Sequence, residues 1–175
     1  MTTLTTTMDT HLPSNLDSYS KLDRSSMEAL YRKGSIPEHF SVLDGTPKGR
    51  MLAVRGLDRG IPAWLVRGVS GSAWFPWEGK SFASQNASHG KGINRIALPL
   101  FHRDWFPFHT RIEPSHIDGQ PCIYLDYDLP GNPWLIRKIR DELREVAPGC
   151  LIGPAMWKRG SQPAALVLWF GIQVN

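Results

Sequence analysis

The sequence contains little cysteine and no long hydrophobic run. Its two cysteines, Cys122 and Cys150, have apolar surroundings typical of buried thiols. They do not form a disulfide framework, although the sequence leaves open whether the two are joined by one disulfide. No apolar stretch approaches the length of a membrane-spanning helix, so we expect no membrane insertion. The first 20 residues show neither the basic nor the apolar region of a secretory signal, and we therefore expect a cytoplasmic protein.

The sequence also lacks a concentrated charge of either sign. Twenty basic and sixteen acidic residues give a net charge of +4, and the basic residues are scattered near turns or beside acids. Binding to nucleic acid needs basic residues gathered on one face, together with a recognisable binding motif. We therefore expect a mixed, solvated surface and no nucleic-acid partner.

A complete phosphate-binding motif is missing as well. The stretch FPWEGKSF, residues 75–82, contains the Gly-Lys-Ser that ends a P-loop. The full motif needs a glycine where the sequence has Trp74, and Pro76 removes a backbone donor from the same loop. We expect no ATP or GTP binding. The stretch is interpreted instead as a barrel strand and turn, with Lys80 extending towards the barrel mouth.

Three histidines recur every seven residues without forming a ligand set. Side chains an odd number of residues apart on a strand point to opposite faces, which separates His102 from His109. The third, His116, falls in a predicted turn. We therefore expect no metal site and no other cofactor.

The chain is rich in short strand-like segments separated by Gly and Pro. Seven or so sequential antiparallel strands predict a mainly β fold, a closed barrel of about eight strands, with a sandwich as the alternative. We expect a flexible segment or flap over residues 1–20 and a single domain over 21–175. The candidate strands are 49–56, 62–69, 93–100, 105–113, 120–128, 150–158 and 165–174.

Two helices are predicted beside the strands. A short N-terminal helix, SSMEALYRK, carries Met27, Leu30 and Tyr31 on one face, with Asp23 or Ser25 as its cap. An amphipathic helix is predicted near 133–146, because its apolar residues recur at helical spacing and its charges can pair four residues apart.

Three segments carry a resemblance to a known family. The first is a W-x-GK-x-F strand that contains Trp77, Gly79, Lys80 and Phe82. The second is an aspartate–tyrosine strand at residues 126–128, and the third is a later strand that contains residues 152–153. In this order they resemble lipocalin-like bacterial and fungal proteins with a GXWXG-type segment, although residues 45–49 read GTPKG. The resemblance implies a calycin-type barrel around a central apolar pocket. Small barrels resembling lipocalins serve as cofactor-free cyclases.

The strand 120–128 and its neighbour supply the candidate catalytic residues. If their polar faces point inward, Tyr124, Asp126, Arg111 and Glu113 form an ionisable cluster that could transfer protons or orient a carbonyl group. The alternative, which alternation favours, places this face outside and the apolar face in the core.

An excess of aromatic residues predicts a broad cavity wall. The candidate ligand-binding residues are Trp77, Phe82, Phe108, Met156, Trp157 and Trp64. We expect a hydrophobic small molecule as partner, bound by a monomer or homodimer that acts as a cofactor-independent cyclase or isomerase, for example of Diels–Alder type, in natural-product biosynthesis. The alternatives are a non-catalytic carrier of a lipid or pigment and an interaction module with a filled barrel.

Overall fold

The chain closes into a barrel of eight antiparallel strands. The structure, a computed structural model, describes residues 16–54, 77–98 and 101–174. Each strand pairs with the next one along the chain, and β8 pairs with β1, which confirms the predicted closed, mainly β barrel. The strands are β1 (Lys48–Val54), β2 (Trp77–Ser84), β3 (His89–Leu98), β4 (Phe101–Pro114), β5 (Pro121–Asp126), β6 (Ile139–Ala147), β7 (Cys150–Arg159) and β8 (Gln162–Gln173). The candidate strand 62–69 lies outside the described residues.

Short helices accompany the strands. They are α1 (Leu16–Tyr19), α2 (Arg24–Lys33) and two 3-10 helices, Phe40–Leu43 and Ile136–Lys138. Helix α2 is the predicted N-terminal helix: the Asp23 carboxylate accepts a hydrogen bond from the Ser26 N–H at 2.8 Å and caps its first turn. No helix in the described part of the chain is long and apolar enough to cross a membrane.

The barrel interior is filled by apolar side chains from the strands and from one 3-10 helix. Phe40 and Leu43 of that helix pack with Phe82 near the β2–β3 turn and cover this end of the barrel. The other fully or largely buried core residues from the strands are Phe108, Ile123, Leu125, Leu143, Leu151, Trp157, Ala165, Val167, Leu168, Phe170 and Ile172.

Helix α2 lies on the outer surface of the barrel. Its predicted apolar face is buried there, and the Tyr31 ring contacts the Trp169 ring at 5.5 Å between centroids. Strand residues whose side chains point outward complete this second core. They include Cys150, Ile152, Met156, Leu166 and Trp169.

The prediction of an amphipathic helix near 133–146 is wrong. Only Ile136–Lys138 is helical, as one 3-10 turn, and Ile139–Ala147 is strand β6, paired with β5 and β7. Ile139 and Leu143 are four residues apart. Side chains at this spacing lie on the same face of a helix and, because the spacing is even, also on the same face of a strand.

The charged side chains of this segment favour the strand conformation, because they form ion pairs with other residues in the fold. Arg144, buried on the outer side of β6, donates to the Asp118 carboxylate at 2.7 and 2.8 Å. Arg140 donates to Glu142 at 2.7 Å. A helix on the surface would offer such groups only exposed pairs and water, whereas the strand places them in buried ion pairs.

The N-terminal segment contributes to the fold from residue 16. The predicted flexible segment 1–20 lies mostly outside the described residues, but its last part forms α1, with Leu16 and Tyr19 buried in the outer core. Tyr19 is fully buried, and burial raises the pKa of its hydroxyl to about 12. Its hydroxyl has no hydrogen-bond partner among the described residues.

We predict opposite outcomes for two substitutions of Tyr19. Tyr19→Ala removes a buried ring and should lower the free energy of unfolding by about 3 kcal/mol or more. Tyr19→Phe keeps the ring and removes an unsatisfied buried hydroxyl, so it should leave stability unchanged or raise it. Urea denaturation measures both. A loss for Tyr19→Phe similar to that for Tyr19→Ala would show that the hydroxyl is satisfied in solution.

Candidate functional site

A cavity of about 160 Å³ opens into the barrel at the end opposite the 3-10 helix Phe40–Leu43. Most of its wall is apolar. The apolar lining residues are Trp77, Ile96, Phe106, Ile136, Ile139, Ala155, Val167 and Leu168. Four polar side chains also line it: Lys80, Asn94, Tyr127 and Asp141.

The four polar side chains form one buried network. The Lys80 ammonium donates to Asp141 Oδ2 at 3.0 Å, to the Tyr127 hydroxyl at 2.6 Å and to Asn94 Oδ1 at 2.8 Å. The Tyr127 hydroxyl donates to Asp141 Oδ2 at 2.9 Å. The Asn94 amide donates to the Tyr127 hydroxyl and to the Phe106 carbonyl, each at 3.2 Å. Three acceptors around one nitrogen suit a protonated lysine, which has three donors.

Aromatic rings surround the ammonium group. Lys80 Nζ lies between 5.1 and 5.4 Å from the ring centroids of Trp77, Phe108, Tyr127 and Phe170. Ring faces attract a cation, which offsets part of the cost of removing it from water. Burial still lowers the pKa of Lys80 below its ordinary value, although Asp141 opposes this shift. Burial raises the pKa of Tyr127 well above its ordinary value, so the phenol stays protonated.

One oxygen of Asp141 stands outside this network. Asp141 is 4% exposed, and its Oδ2 atom accepts the hydrogen bonds from Lys80 and Tyr127. Its Oδ1 atom is buried and has no hydrogen-bond partner among the described residues. Buried carboxylate oxygens are normally satisfied, so an unsatisfied one beside a cavity requires a structural or functional explanation.

A β-bulge in β2 directs both Trp77 and Lys80 into the barrel. Residues three apart on a regular strand point to opposite faces. Here Trp77 pairs with Ile96 and Gly79 with Arg95, so Glu78 is an extra residue that restores the inward direction at Lys80. Gly79 has φ of +137°, a conformation that side chains rarely adopt.

A second bulge, in β4, shapes another part of the cavity wall. Ile93 pairs with Pro107 and Asn94 with Trp105, which leaves Phe106 as the extra residue, with φ of +60°. This conformation is uncommon outside glycine, and such residues occur often at functional sites. The bulge places the Phe106 ring on the cavity and its carbonyl group next to the Asn94 amide.

The predicted catalytic residues come together, but on the outer face of the barrel. Arg111 donates to Glu113 at 2.5 Å and to Asp126 at 2.9 Å, and the Tyr124 hydroxyl donates to Asp126 at 2.9 Å. Ile123 and Leu125 of β5 take the inward positions. The inward orientation of the polar face is therefore wrong, and the alternative of an outward face is correct.

This outer cluster continues into a buried network beneath helix α2. The Tyr124 ring lies between Arg111 and Arg140, with guanidinium carbons 4.7 and 4.1 Å from its centroid. Arg140 donates to Glu142, which also accepts from the Tyr31 hydroxyl of α2 at 2.9 Å. The network ties α2 and β4 to β6, which is a structural role.

The predicted ligand-binding residues divide between the two faces. Trp77 lines the cavity. Phe82, Phe108 and Trp157 belong to the interior core, and Phe108 also contacts the Lys80 ammonium. Met156 points outward into the second core, so its assignment to the cavity is wrong. Trp64 lies outside the described residues.

Sequence reasoning missed the residues that form the polar centre. Lys80, expected at the barrel mouth, is 3% exposed and paired with Asp141 inside the barrel. Asp141 lies in the segment whose spacing predicts a helix, and Tyr127 lies in the aspartate–tyrosine segment, whose pattern predicts no role for it. The available signal was a lone lysine flanked by aromatic residues in a strand, FPWEGKSF.

Comparison with known proteins supports the fold alone. The chain is similar to a protein from Thermomonospora curvata of known crystal structure, with a TM-score of 0.58 and 20% sequence identity over 91% of this chain and 93% of that chain. No protein-family model matches the chain, and no curated protein does. The site must therefore be interpreted from its own geometry.

We predict that the β2 bulge requires glycine at position 79. A methyl group added there would lie 2.6 Å from the Pro47 carbonyl oxygen and 2.7 Å from the Gly49 nitrogen. Gly79→Ala should therefore lower the free energy of unfolding by about 2 kcal/mol or more. Gly131→Ala is the matched control, since an added methyl group there meets no atom within 4 Å. Equal denaturation midpoints for the two variants would contradict a strained bulge.

We predict that Asp126 stabilises the protein without affecting the cavity. Burial acts to raise the pKa of Asp126, but hydrogen bonds from the Asp128 N–H, Arg111 and Tyr124 outweigh it and lower the pKa. Asp126→Asn should cost about 1–2 kcal/mol at neutral pH. Because the stabilisation is present above the ordinary carboxyl pKa of about 3.9 and lost as the pH falls through the lowered value, parent and variant should converge in acid. Denaturation between neutral and acid pH measures this, and a constant difference would contradict it.

Proposed function

We propose that the barrel cavity binds a small, mainly apolar molecule and that the Lys80–Asp141 pair catalyses a cofactor-independent isomerisation or cyclisation of it by proton transfer. The observation that carries the proposal is the buried ion pair in the wall of an apolar cavity, with one carboxylate oxygen unsatisfied. Apolar pockets with a few convergent polar groups are the usual form of small-molecule sites. The resemblance to lipocalin-like barrels is consistent with this proposal.

The energetic cost of the pair supports a functional role. Removing two charges from water costs several kcal/mol for each ion, and apolar residues of similar volume often replace such a pair with no loss of stability. The apolar interior of this barrel would accommodate that replacement. Charged groups kept in such a place, beside a cavity, are candidates for catalysis.

The charges of the pair suit proton removal from a neutral substrate. Lys80 and Tyr127 donate hydrogen bonds to Asp141 Oδ2, so Oδ1 is the oxygen that accepts the proton removed from the substrate. The negative charge then moves from the carboxylate to the substrate, and the Lys80 ammonium neutralises it in either place. Return of the proton from Asp141 to a different atom completes an isomerisation, and no cofactor is consumed.

A non-catalytic carrier is the alternative. All three contacts of the Lys80 ammonium are with acceptors inside the network, which favours a rigid wall that binds without reacting. This alternative keeps the apolar cavity and removes the proton transfer.

A cytoplasmic location and a place in natural-product biosynthesis remain part of the proposal, as does the choice between monomer and homodimer.

A chromogenic proton-transfer probe distinguishes the enzyme from the carrier. In 5-nitrobenzisoxazole, a base removes the proton on carbon 3, the N–O bond breaks, and the coloured 2-cyano-4-nitrophenolate forms. We expect the protein to accelerate this reaction about 100-fold or more over the double variant Lys80→Met/Asp141→Leu, which keeps an apolar cavity without the ion pair. Stopped-flow absorbance measures the rate.

Two further measurements complete this experiment. Asp126→Asn is the matched control, since it alters a carboxylate on the outer face and should leave the rate unchanged. Equal rates for the protein and the double variant, with both still binding the probe, would reject the enzyme and leave the carrier. Failure of both proteins to bind the probe would reject proton abstraction in the cavity from a molecule of this size.

A further inference from the structure

The hydrogen-bonding capacity of the cavity wall is one-sided. Lys80 directs its ammonium group at three acceptors of the network, and Tyr127 donates to Asp141. Asn94 donates through its amide nitrogen to Phe106 and Tyr127. The donors of these side chains are thus engaged by other members of the network.

The remaining capacity belongs to an acceptor. Asp141 Oδ1 lies buried, belongs to a residue of the cavity wall, and has no partner among the described residues. A ligand carbonyl or ether oxygen would have to break an existing hydrogen bond of the network to gain one. A ligand O–H or N–H group would gain a charge-assisted bond without that loss.

We propose that the cavity selects molecules that present an O–H or N–H donor on an apolar, ring-sized body, with the donor bound to Asp141 Oδ1. The proposal rests on the proposed function for the cavity itself and specifies the class of molecule. The size follows from the volume of about 160 Å³, since an apolar protein cavity of about 150 Å³ binds benzene. Phenols and small cyclic alcohols or enols satisfy both requirements.

The donor requirement also makes the cavity discriminate against close analogues. A site built to hydrogen-bond a ligand hydroxyl group rejects the analogue that lacks it, because the buried polar atom of the site is then left unpaired. Asp141 Oδ1 also has no partner among the described residues before a ligand binds, so the selectivity equals the charge-assisted bond that only a donor forms, which is stronger than a bond to a neutral acceptor. Apolar contacts with Ile96, Phe106 and Val167 are shared by all ring-sized ligands and so supply affinity without this selectivity.

Three probes of nearly equal size test the proposal. Phenol carries an O–H donor, anisole carries an oxygen without a hydrogen, and toluene carries neither. Titration calorimetry should give a dissociation constant for phenol about 10-fold or more lower than for anisole or toluene. In Lys80→Met/Asp141→Leu this preference should disappear, and toluene should bind at least as tightly as to the parent. Asp126→Asn, on the outer face, should keep the parent's preference.

The outcomes separate the two proposals. Equal binding of phenol, anisole and toluene by the parent protein would overturn the donor requirement and leave the cavity as an apolar binding site. A phenol preference that persists in the double variant would overturn the assignment to Asp141. Failure of all three probes to bind a folded parent protein would overturn both this inference and the proposed binding function.

Discussion

The Lys80–Asp141 ion pair is the interaction on which the organisation of the barrel interior depends. It joins β2 to β6 across the cavity, and Asn94 of β3 and Tyr127 after β5 are oriented by their bonds to it. Removing one partner would leave a buried, uncompensated charge, which costs about 3–5 kcal/mol. The two bulges serve the same arrangement, because one turns Lys80 inward and the other brings the Phe106 carbonyl to Asn94.

Strand β6 separates two polar networks with different properties. On its outer face, Glu142 accepts from Arg140, Tyr31, Ser115 and the His116 N–H, so both of its oxygens are satisfied. On its inner face, the neighbouring Asp141 has one satisfied oxygen and one that has no partner among the described residues. The outer network has all its carboxylate oxygens satisfied, whereas the inner one keeps an unsatisfied acceptor, which the proposed ligand would satisfy.

The architecture was largely predictable from the sequence, and the polar centre was not. The C-terminal hairpin of β7 and β8 and the pairing of β4 with β5 follow from local signals, namely strand alternation and turn residues between the strands. The prediction of a helix over 133–146 is wrong because the apolar spacing fits both periods and the charges can pair on a helix as well as in the barrel. The inward direction of Lys80 depends on the bulge at Glu78, a change of register that alternation alone does not reveal.

The outer and inner carboxylate clusters differ in a way that becomes visible only after folding. A cluster of Tyr124, Asp126 and Arg111 on adjacent strands looks catalytic in sequence, because ionisable groups lie close together. What distinguishes a site from a structural cluster is the state of its hydrogen bonds after folding. Asp126 has bonds to both oxygens and pairs with cations at the surface, whereas Asp141 keeps an unpaired oxygen in an apolar wall. An unpaired buried acceptor raises the energy of the folded protein, and in the proposed site the binding of a donor would relieve that cost.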